Sequence, residues 1–70
     1  MYKFNYPILK KARKTLRFNA AEVAHSIGIN KSTLYRYENK ESYINVYTLE
    51  LLMMIYHLTP EDIFVKEDDV

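Results

Sequence analysis

Apolar residues recur along this chain at intervals of three and four positions, which is the spacing of one face of an α-helix. Alternation typical of strands is weak, and both prolines and the single glycine fall at predicted helix ends. The pattern predicts an all-α fold of five helices joined by short connections. No stretch reaches the roughly 18 apolar residues of a membrane span, so we expect no membrane partner.

Capping signals set the limits of the first two helices. The first is predicted roughly over residues 7–16, because Pro7 suits a first helical turn. The second is predicted to begin at Asn19, with Glu22 three positions on as the partner in a capping box. It should end at Gly28, which readily adopts the left-handed conformation found after helices.

Similar signals mark the other three helices. Asn30 is predicted to cap the third helix, and the polar residues 39–43 form a loop after it. Asn45 is predicted to cap the fourth helix, which should run to about His57. Residues 59–62 combine a cap, a proline and two acids, which is typical of the start of a helix.

The 70 residues are expected to form a single domain, with a core over about 7–65 and an acidic tail at 66–70. Ile63 and Phe64 are expected to complete that core. One core of this size supplies about 3–5 kcal/mol of net stability. The chain has no cysteine and no histidine spacing typical of a metal site, so we expect neither a metal nor a cofactor.

The fourth helix is apolar on nearly all sides, which is typical of a helix covered on two faces. The residues expected to face the core are Val46, Leu49, Leu52, Met53 and Tyr56. The residues expected at an interface between two copies are Tyr43, Ile44, Tyr47, Leu51, Met54, Ile55 and Leu58. A homodimer is therefore predicted.

Charge is distributed unevenly along the chain. Residues 1–40 carry nine Lys or Arg and two Glu, for a net charge of +7. Residues 41–70 carry one Lys and seven Asp or Glu, for a net charge of −6. This division favours a polyanion such as DNA as a partner of the first half.

Residues 20–39 combine two short helices with a tight turn. Apolar side chains that would join the two helices recur through the segment, and the small Ala24 suits the point where the helices cross. Gly28 permits the positive φ that such a turn requires. This is helix-turn-helix geometry, whose second helix is the right size for the major groove of DNA.

At this point the sequence resembles the Cro/repressor-type helix-turn-helix family, also called the xenobiotic-response-element-like family. The resemblance depends on residues 18–24, 27–34 and 36–39, and on 58–64, which is similar to the family's last helix. It covers about residues 8–64. It implies a five-helix Cro/repressor-like domain that binds double-stranded DNA.

The resemblance also implies roles for single residues at and around the third helix. The implied base-contacting residues are Lys31, Ser32, Tyr35 and Arg36. The implied phosphate-contacting residues are Asn19, Thr33, Asn39 and Lys40. Lys and Arg suit guanine, and Ser pairs with several bases.

The chain departs from the family at two positions. Ala20 stands where many members have a Gln that contacts phosphate, so that anchor is lost or is replaced by Asn19 or a backbone amide. Lys40 stands where many members have Gly, so the turn there is expected to differ in detail. Arg13 and Glu38 match a pair that often forms a partly buried ion pair in the family, which implies a structural role for both.

These features predict a cytoplasmic, sequence-specific transcriptional regulator. A two-fold dimer would place two recognition helices about 34 Å apart on a palindrome, and repression is the simplest mode of action. An alternative is an antitoxin-like module with a protein partner, whose DNA binding is autoregulatory. We do not expect an enzyme, because no histidine, serine or carboxylate dyad and no glycine-rich phosphate loop is present.

Overall fold

The computed structural model describes residues 1–66. It contains five helices and two short strands. The helices are α1 (Pro7–Thr15), α2 (Ala20–Ser26), α3 (Lys31–Glu38), α4 (Val46–Tyr56) and α5 (Pro60–Ile63), and the strands are β1 (Tyr2–Phe4) and β2 (Phe64–Lys66). The five predicted helices are confirmed. Of the predicted tail, residue 66 ends β2, and residues 67–70 lie outside the described range.

The two strands correct the all-α prediction. β1 and β2 pair in an antiparallel sheet, with Lys3 opposite Val65 and Phe4 opposite Phe64. Each strand has three residues, which is too short for alternation to be recognised in sequence. The sheet joins the two ends of the described chain, and Phe4 packs against the core although it precedes the predicted core range.

The sheet also explains why Phe64 does not complete the core. Ile63 is fully buried, whereas Phe64 is 47% exposed. Ile63 is the last residue of α5, whereas Phe64 begins β2 and pairs with Phe4 of β1, so the two neighbours belong to different elements. The Phe64 ring instead lies 6.4 Å from the Phe4 ring, centroid to centroid, across the strand pair.

The centre of the core lies between the helices. Four large side chains from four different helices are fully buried, namely Leu9, Leu34, Leu52 and Ile63. Leu34 is the contribution of α3, and it fixes the side of α3 that turns away from solvent. Burying a side chain of this size contributes about 1.5–3 kcal/mol.

α4 presents a different face to the core from the predicted one. Leu49, Leu52 and Tyr56 are buried as predicted and Met53 is half-buried, but Val46 is 71% exposed. Thr48 is buried in its place. At about 100° per residue, this buried face is rotated toward Thr48, which leaves Val46 at its edge.

Side-chain caps begin two of the helices as predicted. The Asn19 side-chain oxygen accepts hydrogen bonds from the N–H groups of Ala21 (2.8 Å) and Glu22 (3.2 Å), and the Asn45 oxygen accepts one from the Thr48 N–H (2.8 Å). Asn30 occupies the predicted cap position, but its side chain makes no capping bond. Its backbone carbonyl alone starts α3.

The capping box lies at α5 rather than at α2, where it was predicted. The return bond predicted from Glu22 to the Asn19 N–H is absent within residues 1–66. At α5, the Asp62 carboxylate accepts hydrogen bonds from the Thr59 N–H (2.9 Å) and the Thr59 hydroxyl (3.1 Å). The capping pattern predicted at residues 59–62 therefore marks the beginning of α5.

Gly28 has φ +78°, and a Cβ added to it would meet no heavy atom within 4 Å. Gly28→Ala is therefore expected to cost only the backbone penalty of a left-handed residue, about 1–2 kcal/mol. In a domain of this size we expect Tm to fall by about 4–8 °C per kcal/mol. Thermal unfolding followed by circular dichroism measures this. Gly28→Asn should lose less, because Asn tolerates the left-handed region, and an equal loss in both variants would contradict the account.

Candidate nucleic-acid interface

The four residues 27–30 hold α2 and α3 together in a tight turn. The Ile29 N–H donates to the Ala24 carbonyl (3.0 Å) and the Gly28 N–H donates to the His25 carbonyl (3.2 Å). Ala24 is 1% exposed, so no larger side chain is accommodated at this position without moving a neighbour. This is a helix-turn-helix unit.

α3 has one buried and one exposed side. Leu34, Tyr37 and Glu38 are buried. All four side chains predicted to contact bases are exposed, namely Lys31, Ser32, Tyr35 and Arg36. Because residues four apart are neighbours on a helix surface, Lys31 adjoins Tyr35 and Ser32 adjoins Arg36. The structure therefore brings these four residues together on one solvent-facing surface, which we call the α3 face.

A buried ion pair fixes α3 to α1. The Arg13 Nε donates to one Glu38 carboxylate oxygen (2.7 Å) and its second guanidinium nitrogen donates to the other (3.2 Å). The side chains are 10% and 2% exposed. The hydrogen bond to Glu38 raises the pKa of Arg13 above its ordinary value. A two-point bond of this kind restricts the position of α3 as well as its orientation.

The same guanidinium supports Tyr35, a contact that sequence analysis missed. The Arg13 guanidinium carbon lies 5.8 Å from the centroid of the Tyr35 ring, within range of a cation–π interaction. Tyr35 remains 41% exposed. Arg13 thus stabilises both the buried end of α3 and one side chain of the α3 face, although only the ion pair was expected.

The residues predicted to contact phosphate lie in three places. Asn19 stands before α2, Thr33 is half-buried on α3, and Asn39 and Lys40 are exposed directly after α3. Lys40 has φ +58°, the conformation that a glycine adopts readily at this point. Its ammonium nitrogen lies 5.6 Å from the centroid of the Tyr6 ring.

The structure divides the residues predicted at a dimer interface into two groups. Tyr43, Tyr47 and Met54 are 101%, 71% and 72% exposed. The others are half-buried: Ile44, Leu51, Ile55 and Leu58. Ile44, Ile55 and Leu58 already pack against the core, so they offer less free apolar surface than expected.

Comparison with known proteins identifies the family. A family model described as "Helix-turn-helix" matches residues 9–63. The chain belongs to this helix-turn-helix family. The resemblance to the Cro/repressor-type proteins is thereby confirmed. No solved structure matches this helix-turn-helix chain.

One curated relative is a protein of Sulfurisphaera tokodaii that is named as a candidate HTH-type transcriptional regulatory protein. It is 32% identical over 54 residues, which cover 77% of this chain and 18% of the relative. The chain thus spans far less than two thirds of that relative's length. Together with the family match, the relative supports a DNA-binding regulator.

Two further properties of the helix-turn-helix protein concern other kinds of site. Within residues 1–66, no three His, Asp or Glu side chains lie together in an arrangement that could hold a metal ion. No helix in the same range is both long enough and apolar enough to cross a membrane.

Tyr56 is a buried titratable group beside the ion pair. It is 3% exposed, and its hydroxyl has no hydrogen-bond partner in the described part of the chain. Burial, with a smaller contribution from the negative charge of Glu38, raises the pKa of Tyr56 to about 12. Its spacing in α4 predicted burial, but no pattern along the chain indicated a hydroxyl without a partner among residues 1–66.

This pKa predicts a loss of stability at alkaline pH. The unfolded tyrosine ionises near pH 10, whereas the folded one holds its proton to about pH 12. The contribution of Tyr56 to the free energy of unfolding is therefore complete below pH 10 and is lost as the pH rises through 12. The full loss is about 2–3 kcal/mol. Tyr56→Phe should lack this loss, and urea unfolding of both proteins at steps from pH 8 to 12 measures the difference. Parallel curves would contradict it.

At neutral pH, the same Tyr56→Phe substitution removes a buried hydroxyl that has no hydrogen-bond partner among residues 1–66. Because such a group costs about 1–3 kcal/mol, the variant is expected to be at least as stable as the wild type. A lower urea midpoint at pH 7 would contradict this expectation.

Proposed function

We propose that this chain is a sequence-specific transcriptional repressor that binds a palindromic operator in double-stranded DNA as a homodimer, through α3. The observation that supports this most directly is the α3 face, on which Lys31, Ser32, Tyr35 and Arg36 are exposed together. The opposite side of α3 is held by buried Leu34 and by the Arg13–Glu38 ion pair. A rigidly held helix with a polar outer face is suited to the major groove.

The side chains of the α3 face have complementary chemistry for base edges. Lys31 and Arg36 can donate hydrogen bonds to O6 and N7 of guanine, and the Ser32 hydroxyl can donate or accept. The Tyr35 ring, which makes a cation–π contact with Arg13, offers an apolar surface to a thymine methyl group. We therefore assign base contacts to these four residues.

Phosphate contacts are assigned to residues beside this face. The Asn19 side-chain oxygen is occupied by its capping bonds, which leaves its amide N–H₂ as the group that can donate to a phosphate. Thr33 on α3 supplies a hydroxyl as a donor to phosphate. Directly after α3, Asn39 supplies a side-chain amide and Lys40 a positive charge. Such contacts position a protein on the duplex without specifying sequence.

A homodimer is proposed through α4 and the loop before it. Tyr43, Tyr47 and Met54 leave large apolar surfaces exposed, and Val46 adds to them. Two copies related by a two-fold axis could then occupy half-sites one DNA turn apart, about 34 Å. A dimer bound in this way can repress by excluding polymerase. A cytoplasmic location belongs to this proposal.

The same exposed α4 surface supports a second candidate function. An antitoxin-like protein would use Tyr47 and Met54 to bind a partner protein, and its DNA binding would be autoregulatory. A stable complex with a different protein, isolated from the native host, would favour this candidate over a simple homodimeric repressor.

Selection of DNA fragments from a random pool tests the proposal. We expect a palindrome with half-sites one turn apart. In titrations at two salt concentrations, its affinity should exceed that of random duplex DNA by at least about a thousandfold. Weak binding without sequence preference would contradict the repressor proposal. Analytical ultracentrifugation of the free protein and of the complex tests the homodimer separately.

A further inference from the structure

Within residues 1–66, three residues other than glycine have a left-handed backbone, and all three are at helix ends. They are Arg17 (φ +60°), Lys40 (φ +58°) and His57 (φ +58°). Glycine is the usual residue at such positions, because a Cβ is unfavourable there. Residues held in such strained conformations cluster at functional sites, and Lys40 already belongs to the proposed phosphate contacts.

The Arg17 side chain contributes nothing evident to the turn in which it lies. The turn is built by the backbone: the Arg17 N–H donates to the Lys14 carbonyl (3.0 Å) and the Phe18 N–H donates to the Arg13 carbonyl (2.9 Å). The Phe18 ring anchors the turn, with its centroid 6.3 Å from that of Tyr56.

Within residues 1–66, the Arg17 guanidinium has no carboxylate partner, because the Arg13–Glu38 contact is the one ion pair in that range. Arg17 and neighbouring Lys14 are both exposed. The end of α1 therefore carries positive charge that no carboxylate of residues 1–66 pairs with. Such charge attracts polyanions.

Arg17 lies at the border of the proposed DNA surface. Arg13, which supports Tyr35 of the α3 face, also donates a hydrogen bond to the carbonyl of Phe18, the residue after Arg17 (3.4 Å). Two residues of chain span at most about 7 Å, which places Arg17 close to the proposed phosphate contact at Asn19. Ala20, the residue after Asn19, has no side-chain group that can bind a phosphate.

We infer that Arg17 contacts a phosphate of the DNA backbone and supplies the anchor that Ala20 cannot. This inference depends on the proposed function, because it assigns a further contact to the same DNA surface. The left-handed turn at the end of α1 would form more easily with glycine. An arginine there keeps a long cation beside the start of α2, where it neutralises one phosphate.

A structural role is the alternative for this cation, because a positive charge near a helix C-terminus interacts favourably with the helix dipole. The two roles predict opposite results for Arg17→Gly. Loss of a dipole contact lowers Tm and leaves intrinsic DNA affinity unchanged. Loss of a phosphate contact lowers DNA affinity in a protein whose Tm is unchanged or higher, because glycine relieves the strain.

The test compares wild type, Arg17→Gly and Arg17→Lys on the selected fragment and on random duplex DNA at several salt concentrations. Proteins that make six to ten phosphate contacts bind DNA non-specifically with an association constant of about 10⁴–10⁶ M⁻¹. Divided evenly, one contact raises the association constant by about threefold to tenfold. We expect Arg17→Gly to lose that factor for each bound protomer on both DNAs and to reduce the slope of log K against log salt by about one per protomer, hence by about two for the homodimer. Arg17→Lys should keep the slope, because it keeps the charge.

His57→Gly is the matched control, because it relieves the same strain at the end of α4 and should leave DNA affinity unchanged. An Arg17→Gly variant with wild-type affinity and salt slope would overturn the inference, and so would one whose affinity falls together with Tm. If wild type itself shows no specific fragment, the proposed function fails instead, and the salt slope on random DNA still tests Arg17.

Discussion

Glu38→Gln is expected to cost about 3–5 kcal/mol of folding free energy, because it leaves the buried Arg13 guanidinium without its counter-charge. The Glu38 side chain is 2% exposed, so water cannot replace the lost carboxylate. One core of this size supplies a net stability of about the same amount. We therefore expect urea unfolding followed by circular dichroism to show either a midpoint close to zero urea or no cooperative transition.

Two further variants make this expectation specific. Glu41→Gln removes an exposed acid three residues away and should change stability by no more than about 0.5 kcal/mol. The double variant Arg13→Met with Glu38→Leu removes both charges and should recover most of the loss, because apolar side chains can replace a buried pair at little cost. A Glu38→Gln protein within about 1 kcal/mol of wild type would show that the pair is not a main constraint on α3.

Arg36→Ala is expected to weaken binding to the selected DNA fragment by about 1–3 kcal/mol and to relax sequence preference. Arg36 is exposed on the α3 face, so the substitution should leave the urea midpoint almost unchanged. Titration of the fragment and of random duplex DNA measures the effect. Random DNA should lose much less, because guanine contacts add to specific binding alone.

Lys40→Ala is the comparison for Arg36→Ala. It should weaken binding to all sequences alike and reduce the salt slope by about one per bound protomer, as expected of a phosphate contact. Lys66→Ala, which removes an exposed charge from β2, serves as the charge control and should change neither affinity nor slope. Equal losses for Arg36→Ala on specific and random DNA would contradict the assignment of Arg36 to bases.

Much of the site could be predicted from sequence because its determinants are local. Helix starts at Asn19, Asn45 and Thr59 depend on hydrogen bonds within three residues. The turn depends on the backbone freedom of Gly28 alone. The resemblance to the Cro/repressor-type family implied the four side chains of the α3 face, and helical spacing puts them on a different side of α3 from Leu34.

Other features depended on parts of the chain that are distant in sequence. β1 forms only because β2, some sixty residues away, supplies its partner, and three-residue strands carry no periodic signal of their own. The exposure of Val46 and Phe64 and the partial burial of Ile55 and Leu58 depend on which neighbours cover them. The apolar character of a residue does not by itself specify which helix or strand covers its side chain.

The sequence by itself determined the helices, the turn and the surface on which DNA is proposed to bind, because bonds within one turn of helix decide these features. The tertiary structure alone decided that Tyr35 lies against Arg13, that the buried Tyr56 hydroxyl has no partner among residues 1–66, and which side of α4 is covered. Each of these depends on how helices pack, and packing is set by the combined shape of several elements rather than by any one segment.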